Sequence, residues 1–359
     1  EWPPGLEAGI TSRKWPHVAS VCTVMSMAVA PFIPRWMPLV VGTGQIAAHE
    51  REHGRPVVHL LEPPVDLHHN RPVAGSTLTA FRDRWGLRDR PIVVCVGRLA
   101  TELKSEGVLA AIDVAGRFAG GPDRFQLLLV GDGPARPLIE AAAAAANERA
   151  GADIVVLTGE LADPRPAYAV ADVVLGMGGS ALRSLAFSKP LIVQGERGFY
   201  KTLSPPSADT FLWQGWYGVG DGSPTGPDTL AAELSPLLRS ADERHRLGEF
   251  GNHLVQRFSL ERAAERQLQI YQEAAVASRR RVFLSIEDLR AGCSFAGYYA
   301  RKKAARITGR RHADDFNANP VAGLTSPEST RRREAGATPN RAVGRAGSAQ
   351  ECGSLVYLA

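Results

Sequence analysis

Three stretches of the chain bring together residue types that bind anions. Residues 171–196, ADVVLGMGGSALRSLAFSKPLIVQGE, set Gly176, Gly178 and Gly179 in a turn between an apolar run and a helical segment. Such a turn leaves backbone N–H groups unpaired at the positive end of the helix dipole, where a phosphate is held well. Ser180 is expected to add its hydroxyl as the N-cap. Residues 91–107, PIVVCVGRLATELKSEG, place Arg98 and Lys104 just beyond a second apolar run. Parallel sheets take their ligands at the carboxyl ends of strands, and two cations there suit a diphosphate. Plainer readings stay open: the glycines let a helix pack closely on a strand, and the two cations are solvated loop charges. Residues 125–134, FQLLLVGDGP, end a third apolar run in a tight turn, and Asp132 reads as a turn residue rather than a catalytic one.

The elements that must position these residues follow from hydrophobic patterning. Strands are predicted over 92–96, 173–175 and 191–193 and ahead of Gly131, with helices over 108–118 and 180–187. Alternation of buried strand and helix predicts an α/β fold built on a Rossmann-like parallel sheet. Upstream, strands are expected within 18–27, over 39–43 and over 57–61, with a short helix over 45–53. A complete domain of this kind needs about 150 residues, so residues 1–62 read as the remnant of an N-terminal domain. Glu62-Pro63-Pro64-Val65-Asp66 opens a stiff linker over 63–73, since each proline restricts its predecessor as well. His68 and His69 beside it can face a cleft or be incidental.

Downstream, residues 74–258 form the main domain, with amphipathic helices over 228–238 and 242–256. Helices continue through 259–324, led by one over 260–277 with Ser259 as its N-cap and Glu261 in its first turn. The segment 198–222 is dense in aromatics: Phe199, Tyr200, Phe211, Trp213, Trp216 and Tyr217. These read as a small core sealing a loop, with Tyr200 and Lys201 as the exceptions turned toward a ligand.

Composition is that of a globular enzyme, with 44% apolar and 22% charged residues. No apolar run reaches the roughly 18 residues needed to span a bilayer; residues 20–41 come nearest and are broken by Pro31, Pro34, Arg35 and Pro38. The four cysteines, Cys22, Cys95, Cys293 and Cys352, are scattered without metal-site spacing, and Cys95 reads as core. The net charge of +5 is regional, carried by basic clusters at 279–281, 301–303, 310–311 and 331–333. A solvated tail, disordered over 325–359, accounts for much of it; the same basic region can meet an anionic membrane surface. Nucleic-acid binding is not expected, because no aromatic-and-basic strand pattern accompanies the charge.

The ordered set GRL…K (97–104), LLLVGDGP (127–134), VVLTGE (155–160), AYAVADVVLG (167–176) and SLAFSKPLIV (184–193) resembles the donor-binding half of family 4 glycosyltransferases. The resemblance covers about 65–258 and implies the GT-B fold, in which twin Rossmann-like domains face across a cleft. It implies that Arg98 and Lys104 contact the diphosphate of a sugar nucleotide. It further implies that Gly178, Gly179 and Ser180 hold the distal phosphate and sugar, and that Gly159 and Glu160 lie near the base. Members of that family carry Glu-x7-Glu around the helix after the glycine turn. Here the turn is several residues shorter, the first Glu is missing, and Arg183 stands where the second belongs. A guanidinium only donates and cannot accept hydrogen bonds from ribose hydroxyls, and a cation one turn in from the phosphate-binding end works against the helix dipole. Arg183 is expected to meet a phosphate or an acidic partner such as Glu160 or Glu196, or else to reach out to solvent. Glu160 and Glu196 are the carboxylates that can replace the missing pair, or else are structural.

The resemblance therefore implies an enzyme that moves a sugar from a nucleoside-diphosphate-sugar donor to an unidentified acceptor, with retention and without a metal or other cofactor. No Asp-x-Asp that would hold a metal is present. Two alternatives share the fold: a nucleotide-sugar-binding protein without transfer chemistry, and a sugar-nucleotide 2-epimerase. A cytoplasmic location, at the inner face of the membrane if the basic region binds lipid, is the matching expectation.

Overall fold

A computed structural model of the chain describes residues 7–8, 18–101, 104–222, 226–277 and 286–307. The basic clusters at 279–281, 310–311 and 331–333, and the tail over 325–359, lie outside the described residues.

Two parallel sheets organise the molecule. The first has three strands, β1 (Cys22–Val24), β2 (Leu39–Val41) and β3 (Val58–Leu60), in the order β1-β2-β3. Helix α1 (Gly44–Glu52) joins the second strand to the third, capped by the Thr43 hydroxyl, which accepts from the N–H of Ile46. The helix and strands β2 and β3 fall within a residue or two of their sequence expectations, while β1 fills only the middle of the expected stretch 18–27.

The chain crosses through the proline linker to helix α2 (Gly75–Arg84) and the second sheet. This sheet is built from β4 (Ile92–Val96), β5 (Gln126–Val130), β6 (Val155–Gly159), β7 (Val173–Gly176), β8 (Leu191–Gln194) and β9 (Tyr200–Thr202). Their spatial order is β6-β5-β4-β7-β8-β9, all parallel except the final β9. Helices α3 (Ser105–Phe118), α4 (Arg136–Ala150), α5 (Arg165–Val170) and α6 (Gly179–Ala186) intervene, and α7 (Pro205–Gln214) follows β9.

Side chains alternate strictly across this sheet, as the period of two demands. Val93, Cys95, Leu127, Leu129, Val173, Leu175 and Ile192 face one core, against α3, α4 and α8 (Gly226–Arg239). Ile92, Val94, Leu128, Val130, Val174, Leu191 and Val193 face the other, against α5, α6 and α9 (Ala241–Val255). Burial on both faces is why these strands read as continuous apolar runs.

The second unit is tied back to the first. The linker residue Val65 donates its N–H to Phe258 and accepts from Leu260, so it runs beside the start of α10 (Leu260–Ala277). Helix α10 brings Arg266 and Glu273 to His59 of β3, at 3.5 and 3.7 Å. Helix α11 (Ile286–Ile307) packs Phe295 and Tyr298 on Phe32, and its Asp288 accepts from the Trp36 indole at 2.8 Å. No helix among the described residues is long and apolar enough to cross a membrane.

Candidate functional site

The strand order creates the site. Strand β4 is followed by α3 on one face of the sheet, whereas its neighbour β7 is followed by α6 on the other. Two adjacent parallel strands whose connections leave in opposite directions open a crevice at their carboxyl ends. The pairing register sets Cys95 opposite Leu175. The cation-bearing loop and the glycine turn, eighty residues apart in sequence, thus leave neighbouring strand ends.

The loop after β4 is fixed by the loop after β5. Gly97 donates to Val130, Leu99 donates to Asp132 and accepts from Ala135, all at 2.9 Å. The backbones are so close that a Cβ on Gly131 would overlap the Gly97 carbonyl, and Gly131 sits at φ +137°. Asp132 is the expected turn residue. Its carboxylate accepts from the Gly133 N–H (2.7 Å) and from Arg136 (2.8 Å), and these bonds hold its carboxyl below the usual range. Arg98 is exposed on this braced loop, while Lys104 is half-buried, with its ammonium 3.2 Å from where a Cβ on Gly97 would stand.

The three glycines of the second loop divide the two readings between them. Gly176 serves packing, since a Cβ there would lie 3.1 Å from the backbone of Ala181. Gly178 and Gly179 face open space, with nothing within 4 Å of an added Cβ. Gly178 is the N-cap of α6, at φ +54° and ψ −129°, a conformation that glycine alone adopts without strain. An added side chain would thus meet nothing at the start of α6, the end of a helix where unpaired amides favour an anion.

Three expectations for this region are corrected. Ser180 is not the N-cap: it lies two residues inside α6, and its hydroxyl donates back to the Met177 carbonyl at 2.9 Å and accepts the Met177 N–H at 3.3 Å. It shapes the turn from within. Arg183 does not oppose the helix dipole, because α6 ends at Ala186 and places it in the last turn, where a cation is welcome. Nor is Glu196 its acidic partner. Glu196 accepts a short hydrogen bond from the Tyr217 hydroxyl, and this carboxylate together with burial raises the Tyr217 pKa. Arg183 is exposed; its charge acts on the buried Tyr168 hydroxyl, although no well-formed hydrogen bond joins them. Glu160 is exposed beyond β6, two strands from β4 and three from β7, or roughly 14 Å from the glycine turn at ordinary strand spacing. Gly159 precedes it at φ +72°, close to Arg136.

The aromatic segment is a small core, as expected, and it also positions the glycine turn. Trp216 stacks on Phe211 (5.9 Å between centroids) and meets Phe258 edge-on (5.7 Å). Its carbonyl accepts the Gly178 N–H at 2.9 Å. Tyr200 is no exception to this burial: it is 5% exposed, and its hydroxyl donates to Gly107. Lys201 is exposed on β9. Sequence spacing gives no hint of the contact between Trp216 and Gly178, which exists only because β7 and β8 are neighbours. It equally hides Glu106, whose carboxylate accepts the N–H groups of Arg197 (3.0 Å) and Gly198 (2.6 Å) and so fixes the turn after β8.

Known proteins share this fold. Residues 90–205 match the family model described as glycosyl transferases group 1. An alpha-D-kanosaminyltransferase of Streptomyces kanamyceticus is 28% identical over 205 residues, 54% of this chain and 48% of that protein. The chain thus spans about half the length of the curated relative it matches. A glycosyltransferase structure from Rickettsia africae superposes with a TM-score of 0.53 at 14% identity, covering 74% of this chain and 67% of that one. The structure of Anabaena HepE in complex with UDP gives 0.57 at 13% identity, covering 76% of each chain. At such identity these structures establish the fold. Over residues 90–205 the chain is similar to the glycosyl transferases group 1 family, and its fold is GT-B-like.

Proposed function

We propose that this protein transfers a glycosyl group from a nucleoside-diphosphate sugar to an acceptor, with retention, in the manner of family 4 glycosyltransferases. The observation that carries the reading is the adjacency of β4 and β7, whose following loops carry Lys104 and the open Gly178–Gly179 turn. The group 1 match and the UDP held by the HepE structure support a nucleotide donor. In this reading residues 74–258 bind the donor and 63–73 link them to the first unit.

The chemistry follows from charge. As the bond from C1 of the sugar to the diphosphate breaks, positive charge grows on the sugar and negative charge on the leaving oxygen. Arg98, Lys104 and the amides opening α6 stabilise that diphosphate electrostatically, without a metal. The acceptor oxygen bonds to C1 on the face the diphosphate leaves, and its proton passes to the departing phosphate. Arg183 adds a further donor to the phosphates. With Glu196 engaged by Tyr217, Glu160 is the carboxylate left for ribose or base. On the acceptor side, the basic C-terminal region makes a peripheral contact with an anionic membrane surface, as a cytoplasmic enzyme acting on a lipid-borne acceptor would.

Thermal unfolding with UDP-, GDP- and TDP-sugars tests the donor reading. A ligand at one hundred times its Kd stabilises by about 2.7 kcal/mol, so one nucleotide series should raise Tm clearly above its nucleoside. Absence of any shift across the panel would overturn the reading.

A further inference from the structure

We propose that the outward face of α11 lies in the headgroup interface of an anionic membrane. Helix α11 is amphipathic in two directions. Its inward side carries Asp288, Ala291, Phe295 and Tyr298, which dock on the first sheet through Trp36 and Phe32. Its opposite side presents Ile286, Leu289, Cys293, Ala296, Ala300 and Ile307, a stripe recurring at steps of three, four and seven residues. All are exposed; Ile286, Leu289 and Ile307 keep 87%, 71% and 79% of their surface in water. An apolar stripe this exposed along a helix of about six turns calls for a partner.

Charge selects which partner. No acidic residue follows Asp288 in the helix. Arg290 and Arg301 flank the stripe on one side and Lys303 on the other, all exposed, so each can reach headgroup phosphates while its stem lies along apolar surface. Apolar residues along the centre with cations on both edges are the makeup of a helix lying in the plane of a membrane interface. A polyanion such as nucleic acid would use the cations and leave the stripe in water. A second copy would bring Arg301 and Lys303 against its own cations.

This deepens the membrane contact of the proposed function and rests on it. The test is co-sedimentation of the full chain with vesicles of phosphatidylcholine alone or mixed with phosphatidylglycerol. The parent should bind only the mixed vesicles, and more weakly in about 0.5 M salt. The triple variant Ile286→Ser, Leu289→Ser, Ile307→Ser, and the pair Arg301→Glu, Lys303→Glu, should each lower partitioning about tenfold or more. Both should keep the parent's Tm and donor response, since none of these side chains faces either core. If both variants bind like the parent, this face is not the contact, while the basic-region reading stands. If the parent ignores both vesicles, face and reading fall together. Loss on charge reversal but not on the serine substitutions would overturn insertion, as would retention of the parent on duplex DNA in preference to mixed vesicles. A parent dimer in light scattering that the serine variant dissociates would assign the stripe to self-association and overturn the proposal.

Discussion

The ammonium of Lys104 lies over the α-carbon of Gly97, so that a methyl group on residue 97 would stand 3.2 Å from Lys104 Nζ. Two residues of one strand-to-helix connection thus share a space that only hydrogen at position 97 leaves open. Gly97→Ala should move the Lys104 head group by a few tenths of an ångström or more and weaken nucleoside-diphosphate binding about three- to tenfold. The fold should be little affected, because Gly97 is not among the positive-φ glycines. Titration calorimetry with a Tm control checks both halves. Unchanged affinity would place the phosphate away from Lys104.

Arg98 stands exposed on a loop that the Gly131–Gly133 turn holds in place by backbone hydrogen bonds. Arg98→Ala should therefore cost binding rather than stability, with a loss of about 1.5–3 kcal/mol for a charge-assisted pair. The loss should appear for a nucleoside diphosphate and be much smaller for the nucleoside. Equal losses for the two ligands would assign Arg98 to the base or to the fold.

Arg183 is the residue by which this chain departs most from the family it resembles. Since its position in the last turn of α6 satisfies the dipole without any acidic partner, its charge is available to a ligand. Arg183→Glu is expected to abolish donor binding by setting an anion beside the diphosphate. Unchanged or improved affinity would mean that the ribose is read elsewhere and that Arg183 is incidental.

His59 gives the contact between the sheet of the first unit and α10 a pH dependence. Burial holds its imidazole below the ordinary value of 6.5, aided by Arg266 and Arg51 and opposed by Glu273. The native state then binds fewer protons than the unfolded chain as pH falls through that value. Stability present above pH 6.5 is accordingly lost as pH drops toward the native pKa. Denaturation midpoints between about pH 7.5 and about pH 5.5 should fall in the parent and stay flatter in His59→Gln, in a window above the carboxylate range. Parallel pH profiles for the two proteins would show that His59 is not the group responsible.

The amino-acid sequence by itself determined the elements and much of their chemistry. Strands buried on both faces leave uninterrupted apolar runs, so β4, β5, β7 and β8 are legible within a residue or so, and α10 is legible to the residue. Arg98, Lys104 and the glycine turn could be singled out because anion binding needs donors at strand ends, and local sequence states where strands end. Tertiary structure alone decided what those residues meet. Whether a glycine packs or opens depends on its neighbours in space, which is why Gly176 faces Ala181 while Gly178 faces nothing. The Ser180 hydroxyl turns inward because α6 starts one residue earlier than its pattern suggests, and Glu196 is spent on Tyr217 because the loop after α7 returns beside the end of β8, with Val219 bridged to Glu196. Local periodicity fixes which face of an element is buried. The order of strands, and with it the pairing of β4 with β7 that makes a crevice of two distant loops, is set by contacts between residues far apart in the chain.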